Sequence, residues 1–230
     1  MTIQNVKLIV FDLDGTLADT APDIRANVNK TLALWGLSPY SLAEVKGFVG
    51  NGAKVFAQRA LRGRADELKA KGIANDPFDP NLLERFFADH MVLYRSSDNA
   101  HTILYDGVFD FLTQTRMPVA LFTNKPGVPT ERLLSHFQLR ECFTMVLHAD
   151  NVPINKPNPI GLQQIMNHVG ISPAETVMVG DGMPDIQVAK AAGVRSVALL
   201  QGFAPTEELL ALKPDWALDT FADFVTLLKQ

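Results

Sequence analysis

Two aspartates two residues apart, Asp12 and Asp14, close an apolar run that begins at Val6. A run of this kind, rich in β-branched residues and bounded by Asp and Gly, reads as a buried parallel strand. In an extended chain residues i and i+2 point the same way. Both carboxylates therefore face one site at the strand's C-terminal end, where open α/β sheets place their ligands. Gly15 then permits a turn that a Cβ would hinder. Two crowded carboxylates repel, so one stays protonated or a cation joins them. With nearby backbone carbonyls they make an all-oxygen site suited to Mg²⁺. One acid can attack an electrophile while the other moves protons. The plain alternative is a strand that ends in a solvated acidic turn, and the remaining chain decides between the two.

Three further stretches have the same design. An apolar segment at 119–122 stops at Thr123-Asn124-Lys125-Pro126-Gly127. A Thr hydroxyl with backbone N–H groups at a strand end can hold a phosphate. In Asn155-Lys156-Pro157-Asn158-Pro159 the prolines stiffen a loop and fix where Lys156 points. A lysine aimed into a cleft is a point charge for a phosphate. Finally Val177-Met178-Val179-Gly180-Asp181 ends a buried strand in an acid, and Asp185 follows four residues later. Acids at this spacing share a face once a helical turn begins, giving one metal ligand and one supporting carboxylate.

The elements around these stretches are placed by periodicity. After a loop with helix-start chemistry at Asp19-Thr20-Ala21-Pro22, apolar residues recur at helical spacing from Ile24 to Trp35. Helices are expected over 42–49, 53–61 and 82–94, with a polar Gly- and Pro-containing connection at 62–80 that has room for a short helix. The rhythm then changes. Strands at 119–122, 145–148, 177–179, 196–199 and 216–217 alternate with helices at 108–115, 129–137, 159–169, 186–192, 207–212 and 221–228. Alternation of this sort argues for an α/β, Rossmann-like, doubly wound parallel sheet. Its first strand is separated from the others by a helical insertion. The expected division is a catalytic core of residues 1–15 and 102–230 with a small α-helical cap at 16–101. Hinges are expected near 16–18 and 99–102.

Composition narrows the partners. The chain has 230 residues and is 47% hydrophobic, enough for a large packed core. Its net charge is −4 and no dense basic run occurs, which argues against nucleic acid and anionic membranes as partners. No apolar stretch is long enough to span a bilayer. The single cysteine, Cys142, excludes an internal disulfide and suits a reducing, cytoplasmic location. It has no His or Asn context for nucleophilic chemistry. The five histidines form no metal-binding spacing. A soluble monomer or homodimer is expected.

Taken in order, Asp-x-Asp-Gly-Thr, Thr123, Lys156-Pro157 and Gly180-Asp181-x₃-Asp185 resemble the four motifs of the haloacid dehalogenase superfamily. Residues 16–23, Val49-Gly50-Asn51-Gly52-Ala53 and Phe122-Thr123-Asn124-Lys125-Pro126 further resemble the bacterial phosphoglycolate phosphatases within it. The resemblance implies a Mg²⁺-dependent phosphatase of a small phosphorylated metabolite, 2-phosphoglycolate. It implies Asp12 as the nucleophile that forms an aspartyl-phosphate, and Asp14 as general acid and then base. Mg²⁺ is then held by Asp12, the Asp14 carbonyl and Asp181, with Asp185 in support. Thr123, Asn124 and Lys156 bind the phosphoryl oxygens. The resemblance to a superfamily that also contains sugar-phosphate mutases and dehalogenases leaves those activities as alternatives, and Asp14 counts against the dehalogenase. A non-catalytic phosphate-binding protein is a third reading. One departure is Gly182, where relatives often have Ser or Thr. In the cap, Gly50, Asn51 and Gly52 expose N–H groups at a helix start that suit a small carboxylate, with Lys46 or Lys54 assisting. A mere helix–helix turn is the alternative there.

Overall fold

The computed structural model describes residues 3–229. In chain order the elements are β1 (Leu8–Phe11), β2 (Ala18–Asp19), α1 (Ala21–Leu34), α2 (Leu42–Lys46), α3 (Ala53–Arg62), α4 (Ala65–Ala70), α5 (Pro80–Arg95) and β3 (Ile103–Leu104). There follow α6 (Val108–Gln114), β4 (Val119–Phe122), α7 (Gly127–His136), β5 (Met145–Leu147) and α8 (Ile160–Val169). The chain closes with β6 (Thr176–Gly180), α9 (Met183–Ala192), β7 (Arg195–Leu199), α10 (Thr206–Ala211), β8 (Trp216–Leu218) and α11 (Phe221–Lys229).

Six strands form one parallel sheet in the order β5-β4-β1-β6-β7-β8. The central strand β1 lies between β4 and β6, with Ile9 opposite both Val119 and Val177. The chain leaves β1 toward β4 and β5 and later returns to β6 on the other side. That reversal opens a crevice at the carboxyl ends of β1, β4 and β6, where such sheets bind ligands. Alternate residues of β1 enter different cores. Ile9 and Phe11 pack with Leu121, Val179, Phe221 and Phe224, and Leu8 and Val10 pack with Phe122, Met178, Leu162 and Ile165. Helices cover both faces, so the strand is apolar throughout until Asp12.

Helices α1 to α5 build a third core of their own, around Val28, Leu32, Phe56, Leu61, Leu68 and Phe86. The short α2 carries a complete capping box between Ser41 and Glu44. It stops at Lys46, short of the expected 49, because the N–H groups of Phe48 and Val49 bond three residues back, to Val45 O and Lys46 O. Helix α7 starts at Gly127, two residues before the expected Pro129, since a proline in the first turn forfeits no helical bond. The polar connection at 62–80 contains α4.

The two crossings between sheet and helices differ from the sequence expectation of loose hinges. Thr16, Leu17 and Ala18 are fully buried, and β2 pairs antiparallel with β3. Two-residue strands are too short for an alternating pattern to reveal. The return crossing is tied as well, by the His101 N–H and the Thr102 hydroxyl donating to the buried Asp23 carboxylate. Both connections are packed and hydrogen-bonded.

His90 on α5 lies inside the helical core, stacked between Phe56 and Tyr94. The Thr31 hydroxyl donates to Asn27 O, so it accepts from His90 Nδ1–H at 3.2 Å. Burial lowers the ring's pKa from 6.5 to about 4. The folded ring therefore stays neutral where the unfolded chain takes up a proton. Stability is full above the unfolded value and falls as pH drops from about 6.5 toward about 4. Between about pH 7 and about pH 5 this one group is expected to remove about 2 kcal/mol. Denaturant unfolding at both pH values should show a smaller difference in His90→Asn than in the wild type, and equal differences would refute the assignment.

Candidate active site

β1 delivers Asp12 to the crevice, and its N–H donates to Val179 O on the neighbouring β6 at 2.9 Å. The chain then turns tightly. Leu13 O accepts from the N–H groups of Thr16, Leu17 and Ala18, and Gly15 adopts φ +82°. A side chain at Gly15 would be strained, and its Cβ would lie 2.2 Å from Asp181 Oδ2. A Cβ at Gly202 would meet Asp181 Cβ at 2.1 Å. Two glycines thus form a cradle in which the Asp181 carboxylate sits.

Asp12, Asp181 and Asp185 are all buried, and each offers a carboxylate oxygen within 4.8 Å of the others. Asp181 accepts from the Thr16 hydroxyl at 2.7 Å and from the Phe203 N–H at 2.8 Å. Asp185 stands in the first turn of α9 and accepts from the Gly182 N–H at 2.9 Å. Lys156, fully buried, donates to Asp185 Oδ1 at 2.6 Å and stands 2.9 Å from Asp12 Oδ1. The contact with Asp12 is an ion pair, and no further hydrogen bond reaches that buried oxygen among the described residues. Three carboxylates against one ammonium leave excess negative charge. Burial, then the charges of Asp12 and Asp185, push the Asp181 pKa well above the usual carboxylate range. Burial and Asp12 also push Asp185 up, against the pull of Lys156. Burial works against the Lys156 charge, and the two aspartates outweigh it, so the lysine pKa rises. An orphaned oxygen, an all-oxygen donor set and surplus negative charge together fit a hard divalent cation. The sequence placed the Asp14 carbonyl in this set and Asp185 behind it. The carboxylates that the structure brings together are those of Asp12, Asp181 and Asp185.

Asp14 lines the same cavities as Asp12 but has separate partners. Its Oδ1 accepts from the Thr20 hydroxyl and from Lys125 Nζ, each at 2.7 Å. Lys125 also donates to the Tyr94 hydroxyl at 2.7 Å. Burial pushes Tyr94 up to about 12, so the phenol keeps its proton. Burial disfavours the Lys125 charge, but Asp14 and Tyr94 more than restore it. Nothing in the sequence alone assigns a role to Lys125, Tyr94 or His90. The adjacency of Lys125 to Thr123-Asn124 was the available signal.

Thr123 and Asn124 follow β4 into the crevice. The Thr123 hydroxyl accepts from the Lys125 N–H at 3.2 Å. The Asn124 side chain ties two loops together. Its amide donates to Gly50 O at 3.1 Å and to Lys156 O at 3.0 Å, and its Oδ1 accepts from the Lys156 N–H at 2.9 Å.

The residues named in the helical segment are divided. Gly50 and Gly52 line the cavity that holds Asp12, Asp14 and Thr123. Asn51 lies on the neighbouring cavity, and its Oδ1 accepts from Arg59 Nη2 at 2.7 Å. Lys46 lines that second cavity, 3.7 Å from Asp19 and over the Phe203 ring. Lys54 is in neither cavity: it is exposed and paired with Glu84, because α3 turns it to solvent. Its expected part in substrate binding does not match this placement.

Comparison with known proteins agrees with this geometry. A model of the haloacid dehalogenase-like hydrolase family matches residues 9–199. A phosphoglycolate phosphatase of Pseudomonas putida is 37% identical over 216 residues, 93% of this chain and 76% of that protein. One from Colwellia psychrerythraea is 31% identical over 233 residues, 100% of both chains. The crystal structure of a predicted phosphoglycolate phosphatase from Haemophilus somnus 129PT superposes with a TM-score of 0.86 at 29% identity, covering 99% of this chain and 100% of that one. No described helix is long and apolar enough to cross a membrane. With its four strand-end motifs gathered in one crevice and relatives matched along nearly its whole length, the chain belongs to the haloacid dehalogenase-like hydrolases, among their phosphatases.

Proposed function

We propose that the protein hydrolyses a small phosphate monoester through an aspartyl-phosphate on Asp12, and that 2-phosphoglycolate is its substrate. The observation that carries this reading is the arrangement of Asp12: a buried carboxylate at the end of the central strand, with one oxygen lacking a hydrogen-bond partner and a fully buried lysine beside it. The substrate is supported by the relatives, which are named phosphoglycolate phosphatases over most of this chain.

In the first half-reaction an Asp12 oxygen attacks phosphorus and the bond to the leaving oxygen breaks. Asp14 gives that oxygen a proton, releasing glycolate. In the second, Asp14 takes a proton from water as the water attacks the phosphoryl group, which leaves as inorganic phosphate and restores Asp12. The attack brings two anions together, so charge stabilisation is decisive. Lys156 supplies a fixed positive charge at Asp12. Thr123 and the Asn124 backbone bind phosphoryl oxygens at the end of β4. Asp12, Asp181 and the Asp14 carbonyl would hold Mg²⁺, with Asp185 in support, and the ion would supply positive charge to the phosphoryl oxygens. Residues 16–101 act as the cap that excludes water from the first half-reaction, over a core of residues 1–15 and 102–230. A cytoplasmic location completes the reading, supported by the single cysteine, Cys142.

Phosphate release from 2-phosphoglycolate, glucose 1-phosphate, pyrophosphate and nucleoside monophosphates tests the reaction and its substrate together. Asp12→Asn removes the nucleophile and is expected to lower turnover by at least about a thousandfold. Wild-type rates in that variant would exclude the covalent route. Metal binding is read without turnover. At a free Mg²⁺ concentration about a hundredfold above Kd, the melting temperature should rise by roughly 5–10 °C, and chelation should reverse the rise. Asp181→Asn should melt at one temperature with or without Mg²⁺. An undiminished shift in that variant would place the cation elsewhere.

A further inference from the structure

The cavity that joins Asp12, Asp14 and Thr123 to the helical core has one cationic side chain in its lining, Lys125. The other basic residues near it are committed. Arg59 is spent on Phe48 O and Asn51, Lys46 faces Asp19 and the Phe203 ring, and Lys54 pairs with Glu84 in solvent. His90 lines the same cavity but is neutral and adds no charge.

Lys125 is paired as well, but of these cations it alone lines this cavity. An ammonium has three N–H groups. One goes to Asp14 Oδ1 and one to the Tyr94 hydroxyl, both at 2.7 Å, which leaves the third for a ligand. Tyr94 accepts from Lys125 with its oxygen, so its own O–H proton is available as well. Both side chains line the cavity. They come from different parts of the chain, Lys125 from the loop after β4 and Tyr94 from the last turns of α5.

Their position relative to Asp14 determines what they recognise. On the proposed mechanism Asp14 protonates the ester oxygen of the leaving group. In the phosphate ester of a 2-hydroxy acid the carboxylate carbon is two bonds from that oxygen. A cation one hydrogen bond from Asp14 therefore stands beside the place this carboxylate must occupy. Without it, the carboxylate would meet, unscreened in a buried site, the charge that Asp14 acquires on giving up its proton.

The geometry points to Lys125 and Tyr94 as the pair that selects an acidic leaving group, donating N–H and O–H to the carboxylate of a 2-hydroxy-acid phosphate ester. This inference rests on the phosphatase reading and adds the residues that set its substrate class. The plain alternative is that Lys125 only orients Asp14, in which case its loss affects every monoester alike.

The test compares kcat/KM for 2-phosphoglycolate and for ethyl phosphate, which replaces the carboxylate by a methyl group, in the wild type, Tyr94→Phe, Lys125→Met and Lys125→Arg. The wild type should favour 2-phosphoglycolate. Tyr94→Phe keeps the ring that stacks on His90 and loses only the hydroxyl. This variant and Lys125→Met are each expected to lower the preference roughly ten- to a hundredfold, as the loss of a charge-assisted hydrogen bond does, mainly through KM. Lys125→Arg should recover part of it. A general loss of Asp14 orientation would lower both substrates equally and leave their ratio unchanged, which would overturn the inference. So would a wild type that hydrolyses ethyl phosphate as well as 2-phosphoglycolate, although the phosphatase reading would survive. If the wild type hydrolyses neither these nor any other monoester, both readings fall.

Discussion

The constraint on which the site depends is a charge balance held out of water. Lys156 is a fully buried ammonium between the carboxylates of Asp12 and Asp185, with Asp181 a few ångströms away. Removing such charges from water costs several kcal/mol each, and only close, well-oriented partners offset it. Every residue in the cluster is accordingly fixed from outside. Gly15 and Gly202 shape the space for Asp181, Gly182 N–H caps Asp185, and Asn124 grips both the N–H and the carbonyl of Lys156. The same Asn124 reaches Gly50, so the loop that aims the lysine and the loop that roofs the cavity share one anchor. The sheet supplies the rigidity, because the acids and the lysine come from segments after neighbouring strands or from the loop that follows β5.

Asp14 belongs to a different network. Thr20 stands at the start of α1, and Lys125 leads to Tyr94 on α5. Tyr94 is one ring of a stack that continues through His90 to Phe56 inside the helical core. Asp14 is thus tied to the helical segment, and Asp12 to the sheet. The two meet because Asp12 and Asp14 are neighbours on one extended stretch.

The sheet was readable in the sequence because its central strands are buried on both faces. Continuous apolar runs at 8–11, 119–122 and 177–179 leave little room for another assignment, and their C-terminal ends fall at or just before polar residues. Asp12, Asp14, Thr123, Lys156, Asp181 and Asp185 stood out because each sits just past such a run or in a proline-stiffened loop. Lys125 and Tyr94 did not. A lysine in a turn and a tyrosine on an amphipathic helix are ordinary, and their meaning arises only when position 94 is brought to position 125. The same holds for Lys54, which helical spacing alone could not turn away from the cavity. At 16–18 and 99–102, where hinges for cap opening are expected from the sequence, the chain has a two-residue pairing and a buried Asp23, neither of which leaves a periodic trace.

Gly182 shows how one position can lose a side chain without losing the local order. The backbone N–H of Gly182 bonds Asp185 directly, and Gly182 caps α9. A Cβ there would lie 3.2 Å from Asp185 Oδ2, a tight contact with the carboxylate that Lys156 also needs. The absence of a side chain therefore favours a close, undistorted Lys156–Asp185 pair, and with it a fixed lysine beside Asp12. The hydrogen-bond partners of Asp181 and Asp185 lie outside helices α1 to α5, whereas the Lys125–Tyr94 bond crosses directly to α5. Separating the helices from the sheet would break that bond together with the one from Asn124 to Gly50, and would leave Lys125 with Asp14 as its remaining partner. On the proposed mechanism, the chemistry of the nucleophile is thus built into the sheet, and the chemistry that must sense the leaving group is built across the junction.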